Sequence, residues 1–112
     1  MFLITEHATQ DTDCLRTASV PIIEPQECKN MYEDYENVKI VDGMMCAGFK
    51  QGVTDACDSD SGGPLTCQTS DGRHVVHGIV SWGDRCGLPN RPGVYTNVKD
   101  YLPWIEETIL SF

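Results

Sequence analysis

The sequence predicts an all-β domain, a small barrel or sandwich with one short helix in its middle and a second helix at the C-terminus. Three observations predict it. Short runs of β-branched and apolar residues follow one another closely, separated by Gly, Asp, Asn and Pro. Apolar residues recur at sustained helical spacing near the end of the chain. Six cysteines in 112 residues suit a modest core reinforced by disulfides in an oxidising compartment.

Residues 1–14 are polar beyond the first few and carry no periodicity, which predicts a loop-like N-terminal segment ahead of a single domain over 15–112. Leu15 to Ile23 has the character of a strand, and Pro25 suits the first position of a helix. That short helix would carry Cys28, Met31 and Tyr32 on one face. Val41 to Ala47, Pro64 to Thr69, Val75 to Trp82 and Val94 to Val98 then read as short strands. In the last segment Leu102, Ile105 and Ile109 repeat at helical spacing. Asp100 is placed to cap this helix and Pro103 falls in its first turn, so an amphipathic helix packed on the strands is expected.

The charge balance narrows the partners. Eight basic against seventeen acidic residues give a net charge of -9, spread without blocks of one sign, so nucleic acid is not an expected partner. No stretch is apolar for long enough to cross a membrane as a helix. Met1 to Ile4 is apolar but gives way to Thr5, Glu6 and His7, short of what a signal peptide needs. Disulfide-type cysteines without a secretion signal predict a piece of a longer, secreted protein. There is no C-x-x-C pair and no ligand cluster, so no metal and no cofactor are expected.

Chemistry concentrates in Asp55-Ala56-Cys57-Asp58-Ser59-Asp60-Ser61-Gly62-Gly63-Pro64, where a serine is hemmed in by glycines, carboxylates and a cysteine. Apart from one position, this resembles the nucleophile loop of trypsin-like serine proteases of the chymotrypsin fold. Gly78-Ile79-Val80-Ser81-Trp82-Gly83 looks like that family's substrate-binding strand, and Arg91-Pro92-Gly93-Val94-Tyr95-Thr96 like the back of its specificity pocket. Trp104 and Ile105 sit in a terminal helix like the family's. The likeness runs from about Leu15 to Ile109, in the right order and spacing. It implies an incomplete C-terminal six-stranded β-barrel of the double-barrel fold, lacking its first strand and the whole N-terminal barrel. Two unpaired edges and an exposed apolar interface follow from that.

The resemblance also implies two disulfides, Cys28 with Cys46 and Cys57 with Cys86, each contributing about 3 kcal/mol. Cys67 matches a cysteine whose family partner lies upstream of this sequence, which leaves its pairing, and that of Cys14, open.

A serine hydroxyl needs a neighbouring base to take its proton, and that base needs a partner to fix its tautomer. Ser61 matches the family nucleophile, while the family's histidine and aspartate belong to the N-terminal barrel. His7, His74 and His77 lack the setting of the family base and read as ordinary surface or strand histidines. Backbone N–H groups of Ser59 and Ser61 match the oxyanion hole, with Ser59 standing where the family has glycine. Asp55 matches the carboxylate at the base of the specificity pocket, and Gly83 and Gly93 leave its walls open. Asp58, Ser81 and Trp82 complete the expected substrate-binding set. A buried carboxylate seeks a cation, so cleavage after Arg or Lys is implied. Arg85 stands where the family has glycine at the pocket mouth. Asp60 matches the residue that pairs with the new N-terminal ammonium released by activation, and without that partner the loop should relax to an inactive arrangement.

The sequence therefore supports a secreted trypsin-like serine endopeptidase acting through an acyl-enzyme, of which this chain alone is inactive. Its alternative is a non-catalytic homologue that binds protein through the retained pocket face.

Overall fold

The computed structural model describes residues 2–5, 16–34, 39–52, 61–83 and 87–112. Among these residues seven strands form one antiparallel sheet: β1 (Phe2–Thr5), β2 (Arg16–Ser19), β3 (Ile22–Ile23), β4 (Met44–Ala47), β5 (Pro64–Gln68), β6 (His74–Trp82) and β7 (Gly93–Asn97). Helix α1 (Pro25–Met31) follows β3, and a 3-10 turn, Val98–Tyr101, leads into helix α2 (Leu102–Leu110). The strand order is β2-β1-β5-β6-β7-β4-β3. Because β2 and β3 belong to one stretch interrupted only at Val20 and Pro21, the two ends of the sheet are joined covalently. This is the all-β architecture expected, part of a chymotrypsin-like barrel with its short helix and its C-terminal helix.

The expected strand over Leu15 to Ile23 thus divides. Proline has no N–H to give to a ladder, and Pro21 uses its carbonyl instead to accept from Gly48 N–H at 2.9 Å. A larger difference lies at the N-terminus. Phe2–Thr5, read as loop, is a strand pairing with β2 (Leu3 opposite Ala18) and with β5 (Leu3 opposite Leu65). Four residues are too few to display periodicity, and their strand conformation comes from two neighbours that each offer a ladder. So β1 lies between β2 and β5, where the sequence had implied unpaired edges. The rest of the segment expected as loop, residues 6–14, lies outside the described residues.

The core divides in two because strand side chains alternate in direction. Met45 and Ala47 of β4 meet Val20, Leu65, Val80 and Tyr95, while Cys46 between them turns to Ile23, Cys28, Tyr32 and Val94 beneath α1. Val94 and Tyr95 on β7 alternate likewise, one into each cluster. At Gly78 the first cluster is already full: a Cβ there would lie 3.2–3.3 Å from Tyr95, Leu65 and Met45.

Helix α1 begins as its sequence suggests. Pro25 opens it, and the Glu24 carboxylate accepts from Glu27 N–H at 3.0 Å, supplying one of the partners a helix N-terminus lacks. Helix α2 departs from expectation. The 3-10 turn takes up Asp100, so Tyr101 occupies the N-cap with no side-chain cap bond. Nor is the helix covered: no residue of it is buried, and Trp104 and Ile109 are about two-thirds exposed (65% and 66%).

Candidate functional site

The segment that follows Ser61 is fastened to β6 by a reciprocal pair of backbone bonds. Gly62 N–H donates to the Val80 carbonyl at 2.9 Å, and Val80 N–H donates to the Gly63 carbonyl at 2.9 Å. Ser61 itself is exposed in the turn that precedes β5. This brings the serine of the sequence motif to the strand that carries Ser81 and Trp82, although about twenty residues of hairpin separate them.

Beyond Val80 the β6–β7 register shifts, so that Val80 faces Tyr95 and Trp82 faces Val94. Ser81, which follows buried Val80, points outward to an exposed position as strand alternation requires. Gly83, just past the strand, is exposed as well, whereas Gly93 is buried opposite Ala47 of β4.

A fully buried tyrosine that no motif singles out for the site supports both of these strands. Tyr32, at the end of α1, sets its ring edge-on to Trp82, with centroids 5.1 Å apart and planes at 68°. Its hydroxyl donates to the carbonyl of Pro92, the residue before Gly93. Arg91 covers the same ring at 5.4 Å, donates through Nη1 to the Met31 carbonyl and through Nη2 to Asp34 at 3.1 Å. These partners stand about fifty to sixty residues apart in sequence, and no local pattern announces such a pairing. The cation–π contact and the buried hydrogen bond hold the end of α1 against the start of β7.

Behind them the turn over Phe49 to Gly52 is stitched to the segment before β7. Gly52 N–H donates to Phe49 carbonyl at 2.9 Å, and Asn90 N–H donates to Lys50 carbonyl at 2.8 Å. Gly52, with φ +82°, lies directly against the Gly87 carbonyl. The chain entering the Asp55 loop is therefore packed on the residue that follows Cys86.

Of the residues singled out by sequence, Ser61, Ser81, Trp82, Gly83 and Gly93 are among those described. Asp55, Asp58, Ser59, Asp60, Arg85 and the Cys57–Cys86 pair lie outside them, as do Cys14 and His7. The Cys28–Cys46 disulfide is formed, joining α1 to β4 across a Cα separation of 6.1 Å. Cys67 is half-buried and joined to no other described cysteine. Among the described residues no group of His, Cys, Asp or Glu could hold a metal ion, and no helix is long and apolar enough to cross a membrane.

The Trypsin family matches over residues 4–105. The chain is 47% identical to coagulation factor XII of Sus scrofa over 108 residues, 95% of this chain and 17% of that protein. It is 50% identical to coagulation factor XII of Bos taurus over 99 residues, 87% of this chain and 16% of that protein. With urokinase-type plasminogen activator of Gallus gallus the identity is 47% over 95 residues, 85% of this chain and 21% of the relative. The chain thus spans about a fifth or less of the length of these relatives. A family match over nearly all of the sequence, on a sheet that sets the Ser61 turn beside β6, means that the chain belongs to the trypsin family of serine proteases.

Proposed function

We propose that this chain is the nucleophile-bearing and specificity-bearing part of a secreted serine endopeptidase that cleaves peptide bonds after Arg or Lys. The observation that carries the reading is the fastening of the Ser61 turn to β6 through Val80, which supports a nucleophile held beside a substrate-binding edge.

In this reading the peptide substrate lies along Ser81 to Gly83, and its basic side chain extends between the Gly83 and Gly93 walls to Asp55, with Asp58 lining the way. Ser61 Oγ attacks the carbonyl carbon while a base outside this chain takes its proton. Negative charge collects on the carbonyl oxygen, where the N–H groups of Ser59 and Ser61 stabilise it. The C–N bond breaks as the amine receives the proton, leaving an ester on Ser61. Water then adds to the ester, the same base taking its proton, and the carboxylic acid and free Ser61 are restored. Asp60 pairs with an activation-generated ammonium to shape pocket and oxyanion hole. Lacking base and ammonium, the 112-residue chain alone is inert.

A second reading, a non-catalytic homologue binding protein through the pocket face, is favoured by two residues, Ser59 and Arg85, where the family carries glycine. A serine-directed fluorophosphonate separates the readings when applied both to the recombinant chain and to every native species carrying this sequence, with labelled peptides mapped. Expected are label on Ser61 in a longer secreted species that cleaves Arg and Lys peptides but not Leu peptides, and none on the recombinant chain. Label on that chain would end the claim that it is inert. Native species that all stay unlabelled would make the protein a binding homologue.

A further inference from the structure

Exposed apolar side chains are common on any protein, and one by itself means nothing. Here three of them, Ile22, Val41 and Tyr101, each about half exposed (47%, 52% and 45%), border a single open groove of about 660 Å3. None of Ser61, Ser81, Trp82, Gly83 or Gly93 lines it.

One wall of the groove is the turn over Val41 to Gly43, closed by Met44 N–H donating to the Val41 carbonyl at 3.1 Å. That turn is clasped to the end of β7, since Asn97 N–H donates to the Gly43 carbonyl at 2.8 Å. Tyr101 rests on Gly43 so closely that a Cβ there would come within 2.9 Å of its hydroxyl oxygen. Asp42 and Asp100 are the immediate chain neighbours of this touching pair, and both line the groove at exposed positions. Ile22 of β3 and Lys29 of α1 also line the groove, together with Cys28 and Cys46, whose disulfide joins α1 to β4. His77 completes the charged or titratable groups of the lining.

We propose that this groove docks a basic, apolar-tipped segment of a partner protein, an aliphatic side chain flanked by lysine or arginine. The apolar side chain would cover Ile22, Val41 and Tyr101, and the cations would meet Asp42 and Asp100. The volume suits two or three side chains of an extended segment. Charge decides among occupants. At -9 the chain repels a second copy of itself, anionic lipid and nucleic acid, and attracts a basic segment over distance. Two carboxylates against the single Lys29 ammonium give the groove the same sign as the whole chain.

The probe is a fluorescein-labelled hexapeptide alternating leucine and lysine, titrated by anisotropy into the full chain at low salt. Matched peptides alternating leucine with glutamate, and serine with lysine, serve as controls. Binding of the leucine–lysine peptide alone is expected, weakened about tenfold in the Asp42→Asn/Asp100→Asn variant. A Glu106→Gln/Glu107→Gln variant carries the same change of net charge on α2 and should weaken it less than twofold. Circular dichroism of all three proteins establishes that each is folded. Equal loss in the two charge variants would reduce the effect to net charge and overturn the proposal. So would equal affinity for the serine–lysine peptide, or no binding by the folded chain.

Discussion

Replacing Gly52 and Gly62 by alanine, one at a time, makes the same backbone demand in two different surroundings. Gly52 has φ +82° and Gly62 φ +85°, a left-handed conformation that costs an L-residue about 1–2 kcal/mol. Alanine also removes freedom from the unfolded chain, which offsets about 0.4–1 kcal/mol of that. At Gly62 none of the described residues lies within 4 Å of an added Cβ, so the net loss should be about 0.5–1 kcal/mol. At Gly52 the same Cβ would sit 2.1 Å from the Gly87 carbonyl oxygen and 2.8 Å from the Leu88 carbonyl carbon, where ordinary contact begins near 3.4 Å. Those are backbone atoms and cannot rotate aside. Separating the two segments by more than an ångström should add the cost of overpacking, about 1–3 kcal/mol, bringing the total to about 2–4 kcal/mol. The assay is equilibrium urea unfolding followed by tryptophan fluorescence. With a slope of about 1.5 kcal/mol per molar, the midpoint should fall by about 0.5 M for Gly62→Ala and by about 1.5–2.5 M for Gly52→Ala. Equal shifts at unchanged slope would refute the close approach of Gly52 to Gly87, and with it the packing of the Phe49 to Gly52 turn against Gly87 and Leu88.

Tyr32→Phe removes the donor to a buried Pro92 carbonyl while keeping the ring on Trp82, and should cost about 1–3 kcal/mol in a thermal melt; a neutral substitution would deny that bond its role. Cys28→Ala/Cys46→Ala opens a loop spanning a separation of 18 residues and should cost about 3 kcal/mol in denaturant unfolding. At the β5–β6 hairpin the Thr69 hydroxyl, with Arg73 beside it, holds the Asp71 carboxyl below its ordinary 3.8. A depressed folded-state value means that its contribution is present above pH 3.8 and fades as pH falls through the lower folded value. Exchange of Gly72 N–H, which donates to the Thr69 carbonyl at 3.0 Å, should therefore quicken only below that range, after correction for intrinsic rates; loosening already at neutral pH would contradict the assignment. Trp104, Ile109, Leu110 and Phe112 are 65–103% exposed, so the purified monomer should bind a hydrophobic dye strongly; a dye-silent monomer would show that face to be covered.

What was legible in the sequence was whatever a local pattern can carry. Strands β5 to β7 appear close to where their β-branched runs stand, β4 occupies the second half of its predicted Val41 to Ala47 run, and Pro25 opens α1 as proline at that position should. The segment Phe2–Thr5 was not legible, because its conformation is decided by β2 and β5 and not by its own four residues. Asp100 misled for a related reason: a good capping residue is only a cap if the helix starts after it, and the 3-10 turn moves the start onward. At the site, Ser61, Ser81 and Gly93 were visible as motif residues. The parts that hold them were not, since Tyr32 meets Trp82 and Pro92 across some fifty and sixty residues of chain.

That support has a consequence for how such a site can vary. On β7, Val94 and Tyr95 fill the two halves of the core directly after Pro92 and Gly93; on β6, Val80 packs inward while its backbone fastens the Ser61 turn. A change in core volume at Val80 or Val94 therefore shifts the same backbone that positions Ser61 and Gly93, because close-packed interiors transmit strain instead of absorbing it. Exposed Ser81 and Gly83, by contrast, project from that frame and can change without loss of packing. Variation in sequence should accordingly be tolerated best at those outward positions. Core residues of β6 and β7 should tolerate only substitutions that keep their volume.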